Sequence, residues 1–269
     1  MEAPATNEGA VHYQRTGAHG EIAHIIFDRP AARNAMTWTM YEQMADACKK
    51  IAADASVRVA VFRGTGGKAF VAGTDISQFL DFKSGEDGIA YERQVAAHLA
   101  AVETLPVPAL AVIEGWAIGG GLAIATACDL RIATPGSRFG VPIARTLGNC
   151  LSVENVALIA NAFGHARAKK MLLLAENLTD TEALACGYLS EIVAPENLDA
   201  RINALCERIA GNAPITLRVT KEGLRRALHA GLPEMTAGED LIRACYGSED
   251  FRIGREAFVA KQTPRWTGR

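Results

Sequence analysis

The chain has six cysteines, Cys48, Cys128, Cys150, Cys186, Cys206 and Cys245, but no Cys-x-x-Cys pair and no histidines at zinc-ligand spacing. That excludes the common zinc and dithiol redox motifs, so no metal is expected. Several of the cysteines fall at apolar helical positions, which fits buried free thiols in a reducing cytoplasm. No uncharged apolar stretch reaches about 18 residues, so no membrane span is expected. The opening "MEAPATNEGAVHYQ" lacks a basic patch followed by an apolar run, so no secretory signal is expected there. Neither sign of charge dominates: the net charge over 269 residues is −2, which argues against a general nucleic-acid or membrane-surface role. There is no G-x-x-x-x-G-K-[ST] phosphate loop. A G-x-G-x-x-G dinucleotide fingerprint fails because Ile124 stands where the third glycine belongs. Internal repeats and low-complexity segments are also missing.

What is present is apolar residues, 49% of the chain, enough for one large core or a core with an appendage. Strand-like runs occur at Glu21–Asp28, Val57–Gly64, Pro108–Gly115 and Leu130–Thr134. The third is almost wholly apolar, as a strand covered on both faces should be. Thr37–Ala53 places Met40, Met44, Ala47, Cys48 and Ile51 on one helical face. Thr37 or Thr39 can cap it, Thr39 pairing with Glu42 as a capping box. Leu122–Cys128 reads as a buried helix opened by glycines. Later segments are helical at 152–163, 166–175, 180–186, 198–212, 216–229, 239–246 and 248–261. Thr179 and Glu182 form a second capping box, and Gly187 supplies a stop. Strand–helix alternation indicates an α/β core over residues 1–197, and residues 198–269 an all-helical end. The polar stretch Phe79–Tyr91 reads as a loop, either mobile beside a ligand or simply on the surface. Between Phe251 and Arg269 five basic residues (Arg252, Arg255, Lys261, Arg265, Arg269) face one acid, Glu256. This is either a solvated tail or an anion contact.

Two stretches can carry chemistry. In "GGKAFVAGTDISQF" small residues leave the N–H of Ala72 or Gly73 accessible, and Asp75 can cap a following helix. In "EGWAIGGGLAIATACDL" three glycines (Gly119, Gly120, Gly121) stand between a strand and a helix. Free N–H groups and the positive helix end point the same way there, an arrangement suited to a developing negative charge. For Gly121, close helix–strand packing is the competing structural reading.

Six segments in order carry a family resemblance: "DRPAARNAMTWTMYEQM", "FRGTGGKAFVAGTDI", "GWAIGGGLAIATACDLRIAT", "RFGVP", "LTDTEALACGYLSEIV" and "GREAFVAKQTPRW". On them the chain resembles the crotonase (enoyl-CoA hydratase/isomerase) superfamily over nearly its whole length. The resemblance implies an α/β spiral of ββα units with a helical C-terminal trimerisation segment, assembled as a homotrimer or a dimer of trimers. It implies an acyl-CoA thioester as ligand, with coenzyme A entering as part of the substrate and no permanently bound cofactor. By motif match, the thioester carbonyl is polarised by the N–H groups of Ala72 and Gly120. Ala72, Gly73, Thr74 and Asp75 line the thioester and pantetheine. Lys68 and the Pro30–Ala35 turn, with Arg33 and Ala35, lie toward the adenine end. Phe258 and Lys261 match positions of the last helix that can reach a neighbouring subunit's coenzyme A.

The family's hydratases hold a water between two glutamates, one two residues after the third glycine and one after the proline of F-G-x-P-E. Here those positions are Ala123 and Ile143. Neither side chain transfers protons, so hydration by the standard pair is not expected. Other groups remain open. "LGNC" is similar to the G-N-D stretch of aryl-CoA dehalogenases, with Cys150 at the nucleophile's position; it is either that or a buried wall residue. Glu114 is the nearest carboxylate in sequence to the glycine turn, catalytic or structural. Arg145 either binds an acyl carboxylate or forms a surface ion pair. His98 is expected to pack. Three classes stay open: an acyl-CoA enzyme with unconventional proton donors, a hydratase/isomerase using other acid/base groups, and a non-catalytic acyl-CoA-binding paralogue.

Overall fold

Three consecutive strand–strand–helix units place one strand in each of two sheets. The computed structural model describes residues 8–269 apart from 233 and 235. An antiparallel hairpin, β1 (Ala10–Thr16) and β2 (Ile22–Asp28), leads into α1 (Trp38–Ala53). The units follow: β3 (Val59–Gly64), β4 (Ala69–Val71) and α2 (Gly85–Glu103); β5 (Ala109–Ile113), β6 (Trp116–Ile118) and α3 (Gly120–Ala127); β7 (Leu130–Ala133), β8 (Arg138–Gly140) and the single-turn α4 (Ile143–Thr146). Then come α5 (Val153–Phe163), α6 (His165–Leu173), β9 (Leu178–Thr179), α7 (Asp180–Ala185) and β10 (Glu191–Ile192). Helices α8 (Leu198–Ala210), α9 (Pro214–His229), α10 (Glu239–Tyr246) and α11 (Glu249–Val259) complete the described chain. The six-stranded sheet has the order β1-β2-β3-β5-β7-β10, parallel from β2 onward, and the four-stranded sheet the order β4-β6-β8-β9. In the smaller sheet β4, β6 and β8 are parallel.

The apolar strand runs are explained by cover on both faces. Val59, Val61, Leu110, Val112 and Ile132 pack against Leu198, Ile202, Cys206 and Ile209 of α8. The alternate residues Ala60, Phe62, Ala109, Ala111 and Ile113 join the main core with α1. The helices beyond residue 197 therefore pack on the preceding chain, α8 against the sheet and α10 and α11 around Phe79 and Ile89. The short strands β4, β6, β8, β9 and β10 escape the sequence pattern because two or three residues show no period.

Thr37 is the cap of α1, its hydroxyl accepting the Met40 N–H at 3.2 Å. Thr39 lies inside the helix, so it makes no capping box with Glu42. The second box forms as expected: Glu182 N–H donates to Thr179 Oγ1 at 3.1 Å and Thr179 N–H to Glu182 Oε2 at 2.9 Å. Phe79–Tyr91 is a surface loop only over residues 80–84. Phe79 is buried at the end of a 3-10 turn (Ile76–Phe79), and α2 begins at Gly85. Its two glycines form a groove for α10. A Cβ on Gly85 would stand 2.3 Å from the Arg243 carbonyl oxygen, and one on Gly88 2.3 Å from the Tyr246 ring. Close helix approach, not turn formation, requires glycine there.

Candidate active site

The carboxyl ends of β4, β6 and β8 lie side by side. The residues that follow them, Ala72–Thr74, Gly119–Gly120 and Val141–Ile143, line one open cavity. Ile76, Phe79, Tyr91, Glu92, Thr146, Leu147, Asn149, Leu151 and Phe258 complete it. A second, mainly apolar recess adjoins it through shared Tyr91, Glu92, Gly119, Gly120, Val141 and Leu151, and runs inward past Ala123, Val95 and Leu99. Ala123 and Ile143 thus face the cavities, but neither side chain carries a proton.

The glycine triplet has three separate reasons. Gly119 sits at φ +53° with its N–H on the Gly140 carbonyl at 2.9 Å. A Cβ on Gly121 would stand 2.0 Å from the Val71 carbonyl oxygen, so the competing structural reading, close helix–strand packing, holds there. Gly120 opens α3, and its N–H has no hydrogen-bond partner among the described residues, as the first turn of a helix dictates. A Cβ on Gly120 would lie 2.4 Å from Tyr41 Oη and 3.1 Å from Thr74 Oγ1, so Thr74 is its immediate neighbour.

Ala72 does not supply an available donor. Its N–H is bound to the Arg33 carbonyl at 3.0 Å, because the left-handed Arg33–Asn34 turn presses that carbonyl onto the strand end. Buried Asn34 fixes the turn: Oδ1 accepts from Arg29 N, and Nδ2 donates to the carbonyls of Thr65 (3.0 Å) and Ala69 (2.9 Å). Beyond Ala72, the Gly73 carbonyl accepts Met36 N–H at 2.9 Å and Asp75 N–H donates to Met36 O at 2.8 Å. The N–H groups of Gly73 and Thr74 have no acceptor among the described residues. The Thr74 hydroxyl is anchored by Tyr41 Oη at 3.0 Å and Tyr91 Oη at 3.3 Å. Burial pushes the Tyr41 phenol up to about 12, so it stays a neutral hydroxyl.

Other expected residues fall elsewhere. Asp75 caps the 3-10 turn through Ser77 N–H at 3.0 Å and pairs with Arg29 at 2.6 Å. Burial raises its carboxyl's proton affinity, but the Ser77 and Arg29 contacts outweigh that and hold it below the usual range. Glu114 lies outside both cavities, bound to Arg63 Nε at 2.8 Å, and Arg63 also holds Asp199 at 2.7 Å. Cys150 packs behind the wall against the cluster around Phe79, and its thiol is pushed up by the neighbouring Cys245 thiol and by burial. Cys150 is not among the residues that line either cavity. Arg145 is exposed on α4, outside the cavity lining, with no ion pair among the described residues. His98 stacks on Tyr41, ring centroids 5.5 Å apart. Arg33 and Lys68 are exposed, and Ala35 half-buried, where the Pro30–Ala35 turn meets the β3–β4 connection. Phe258 lines this chain's own cavity, while Lys261 closes α11 at φ +53°. The basic end divides: Arg252 pairs with Glu249 and Glu256, and Arg255 donates to the carbonyls of Phe79, Leu80 and Phe82. Lys261, Arg265 and Arg269 are exposed.

Glu92 is the site residue that the sequence reading missed. It lies in both cavity walls with only 5% of its surface exposed. Ser152 N–H (3.0 Å) and Asn155 Nδ2 (3.4 Å) hold Oε2, and the Tyr246 hydroxyl holds Oε1 at 3.1 Å. Burial raises its carboxyl above the usual range, outweighing those donors. The signal was its spacing: the buried face of α2 runs Gly85, Gly88, Ile89, Glu92, Val95, Leu99 and Val102, so a carboxylate occupies a core position.

Known proteins share this fold. A family model described as enoyl-CoA hydratase/isomerase matches residues 17–269. The chain is 29% identical over 247 residues to the short-chain-enoyl-CoA hydratase of Clostridium acetobutylicum, covering 90% of this chain and 93% of that one. Among solved structures it is similar to an enoyl-CoA hydratase/carnithine racemase from Magnetospirillum magneticum (TM-score 0.77, 32% identity, 96% of both chains). It is also similar to a methylmalonyl-CoA decarboxylase in complex with 2-nitronate-propionyl-CoA (TM-score 0.86, 25% identity, 96% of this chain and 98% of that one). Among the described residues no helix is long and apolar enough to cross a membrane.

Proposed function

The chain belongs to the enoyl-CoA hydratase/isomerase family of the crotonase superfamily, and from that premise we propose that it polarises the carbonyl of an acyl-CoA thioester with the N–H groups of Thr74 and Gly120 and stabilises the resulting enolate. The observation that carries this is the pair of unpartnered N–H groups at adjoining strand ends above an apolar cavity. In the extended chain at Thr74, the flanking groups Gly73 C=O and Asp75 N–H both turn toward Met36. The Thr74 N–H therefore faces the opposite side, where α3 begins. Two donors and a helix N-terminus at one point stabilise charge on an oxygen by several kcal/mol. Coenzyme A then runs out past the Pro30–Ala35 turn, with Arg33 and Lys68 as phosphate contacts. Exposed Ile215, Val219 and Leu224 on α9 support assembly as a homotrimer or a dimer of trimers.

Hydration by a carboxylate pair is not part of this reading, since Ala123 and Ile143 hold the two positions. The resemblance to a decarboxylase structure favours a second version of the same chemistry. Decarboxylation makes the enolate by breaking a C–C bond, so it requires no base to form it. A panel of acyl-CoA substrates, including malonyl-type thioesters with carbon dioxide release followed, separates the versions. The hole itself is tested with acetoacetyl-CoA, whose enolate band in the ultraviolet should appear on binding. Titration calorimetry should give tighter binding of butyryl-CoA than of its S-butyl thioether, which lacks the carbonyl. Equal affinities with no enolate band would refute the proposal.

A further inference from the structure

We propose that Glu92 is the acid/base of this site, exchanging a proton with the acyl α-carbon, with Tyr246 as its positioning residue. The proposal rests on the Thr74–Gly120 reading above. Glu92 is a carboxyl in the wall that also contains Gly119 and Gly120, and it lies on the cavity side of α2 directly after Tyr91, whose hydroxyl anchors Thr74. The carboxyl positions of the family's hydratases, Ala123 and Ile143, open onto the same two cavities from α3 and α4. One carboxyl from a third helix thus faces space that those two leave without a proton carrier.

The hydrogen bonds around Glu92 accommodate both of its protonation states. Ser152 N–H and Asn155 Nδ2 donate to Oε2 in either state. When Glu92 is ionised, the Tyr246 hydroxyl donates to Oε1. When Oε1 carries a proton, it donates to Tyr246 Oη, whose own proton turns to the Cys150 carbonyl at 3.4 Å, while Asn149 Nδ2 keeps its bond to Oη at 3.2 Å. No polar group is orphaned by the change, which removes the penalty that usually locks a buried carboxyl in one state. The titratable groups facing it are Tyr91 on its own helix, Tyr41 from α1, Tyr246 and Cys245 from α10, and Cys150 from the turn before α5. All its hydrogen-bond partners are neutral. Ionised, such a carboxyl is a stronger base than one in water.

The step balances without a further reactant. The Cα–H bond breaks, its proton forms an O–H bond on Glu92, and the electron pair moves onto the thioester oxygen held by Thr74 and Gly120 N–H. Return of the proton to carbon completes isomerisation or exchange. After decarboxylation, the protonated form supplies the proton to the enolate directly.

Glu92→Gln keeps the hydrogen bonds, its amide oxygen replacing Oε2 and its nitrogen donating to Tyr246. Wild type and variant are compared for α-hydrogen exchange of butyryl-CoA in deuterium oxide by proton NMR, and for the enolate band of bound acetoacetyl-CoA. The expected result is exchange reduced ~100-fold or more with the enolate band retained. Exchange within about twofold of wild type, on a scale where general acid–base catalysis is worth ~100-fold, would overturn the role of Glu92 alone. A wild type that neither exchanges nor shows the band would overturn the oxyanion reading with it. Tyr246→Phe serves independently, also where Glu92→Gln does not fold. Loss of the donor should move the rising limb of the exchange pH profile upward, and an unmoved limb counts against the proposal.

Discussion

Gly120→Ala, alone and with Tyr41→Phe, tests the packing that sets the two N–H donors. A Cβ on Gly120 meets Tyr41 Oη at 2.4 Å, about 1 Å inside ordinary contact. The ring has nowhere to go: Tyr41 is fully buried, stacked on His98 and beside Trp38. Overpacking of this kind costs about 1–3 kcal/mol. Displacing the hydroxyl also breaks its 3.0 Å bond to Thr74, worth about 1 kcal/mol. Gly120→Ala should therefore destabilise the fold by about 2–4 kcal/mol. Tyr41→Phe alone should cost about 1 kcal/mol, since Thr74 keeps Tyr91. In the double variant the colliding oxygen is gone and the next neighbours are Thr74 Oγ1 at 3.1 Å and the ring carbon at 3.7 Å. Its destabilisation should fall short of the sum of the singles by about 1–2 kcal/mol. Urea denaturation midpoints of the four proteins give the cycle. The acetoacetyl-CoA enolate band should be weakened in Gly120→Ala and partly recovered in the double variant. Additive energies, within about 0.5 kcal/mol, would mean that Tyr41 does not hold Gly120 and Thr74 in register.

Glu114→Gln should leave acyl-CoA turnover within about twofold, because its partner is Arg63 and not the cavity; a ~100-fold loss would return it to the mechanism. Native protein should resist iodoacetamide at Cys48 and Cys206, whose thiols burial pushes up to about 12, and become reactive on unfolding; rapid native labelling of either, read by mass spectrometry, would contradict their packing. Arg255→Met removes the donor to three carbonyls of the Phe79–Phe82 turn and should cost about 1–3 kcal/mol by thermal or urea unfolding. Glu92 also gives a pH dependence. Its folded affinity for protons exceeds the unfolded one, so its stabilising share is complete below the ordinary carboxylate range and is lost as pH rises through the raised folded value. Stability measured across pH 4–9 should fall with pH in wild type relative to Glu92→Gln; parallel curves would refute a raised carboxyl.

Much of the fold was legible because long apolar patterns carry their own period. The runs at β2, β3, β5 and β7 and the amphipathic α1 needed no neighbour to be recognised. The family resemblance rested on local motifs, and the family-model match over residues 17–269 agrees with it. The glycine turn was legible as well, since three adjacent glycines between a strand and a helix mark a place where backbone must come close to something. Boundaries and caps were less so. Thr37 and Thr39 offer the same chemistry, and only the first residue of the helix decides between them.

The sequence by itself determined the longer strands, most of the helices, the covered sheet, the glycine turn and the presence of side chains without a titratable proton at Ala123 and Ile143. Only the tertiary structure decided which groups share the cavity. Ala72 and Thr74 are two residues apart and equally small in pattern, but a left-handed turn 39 residues earlier engages the Ala72 N–H through the Arg33 carbonyl and leaves that of Thr74 without a partner among the described residues. Glu114 and Cys150 lie close in sequence to the motifs yet point to Arg63 and to the far side of the wall. Glu92, 28 residues before Gly120 and 60 before Ser152, comes to the site because α2, α5 and α10 close around it. Hydrogen bonds across such separations depend on packing of whole elements, and no local period encodes them.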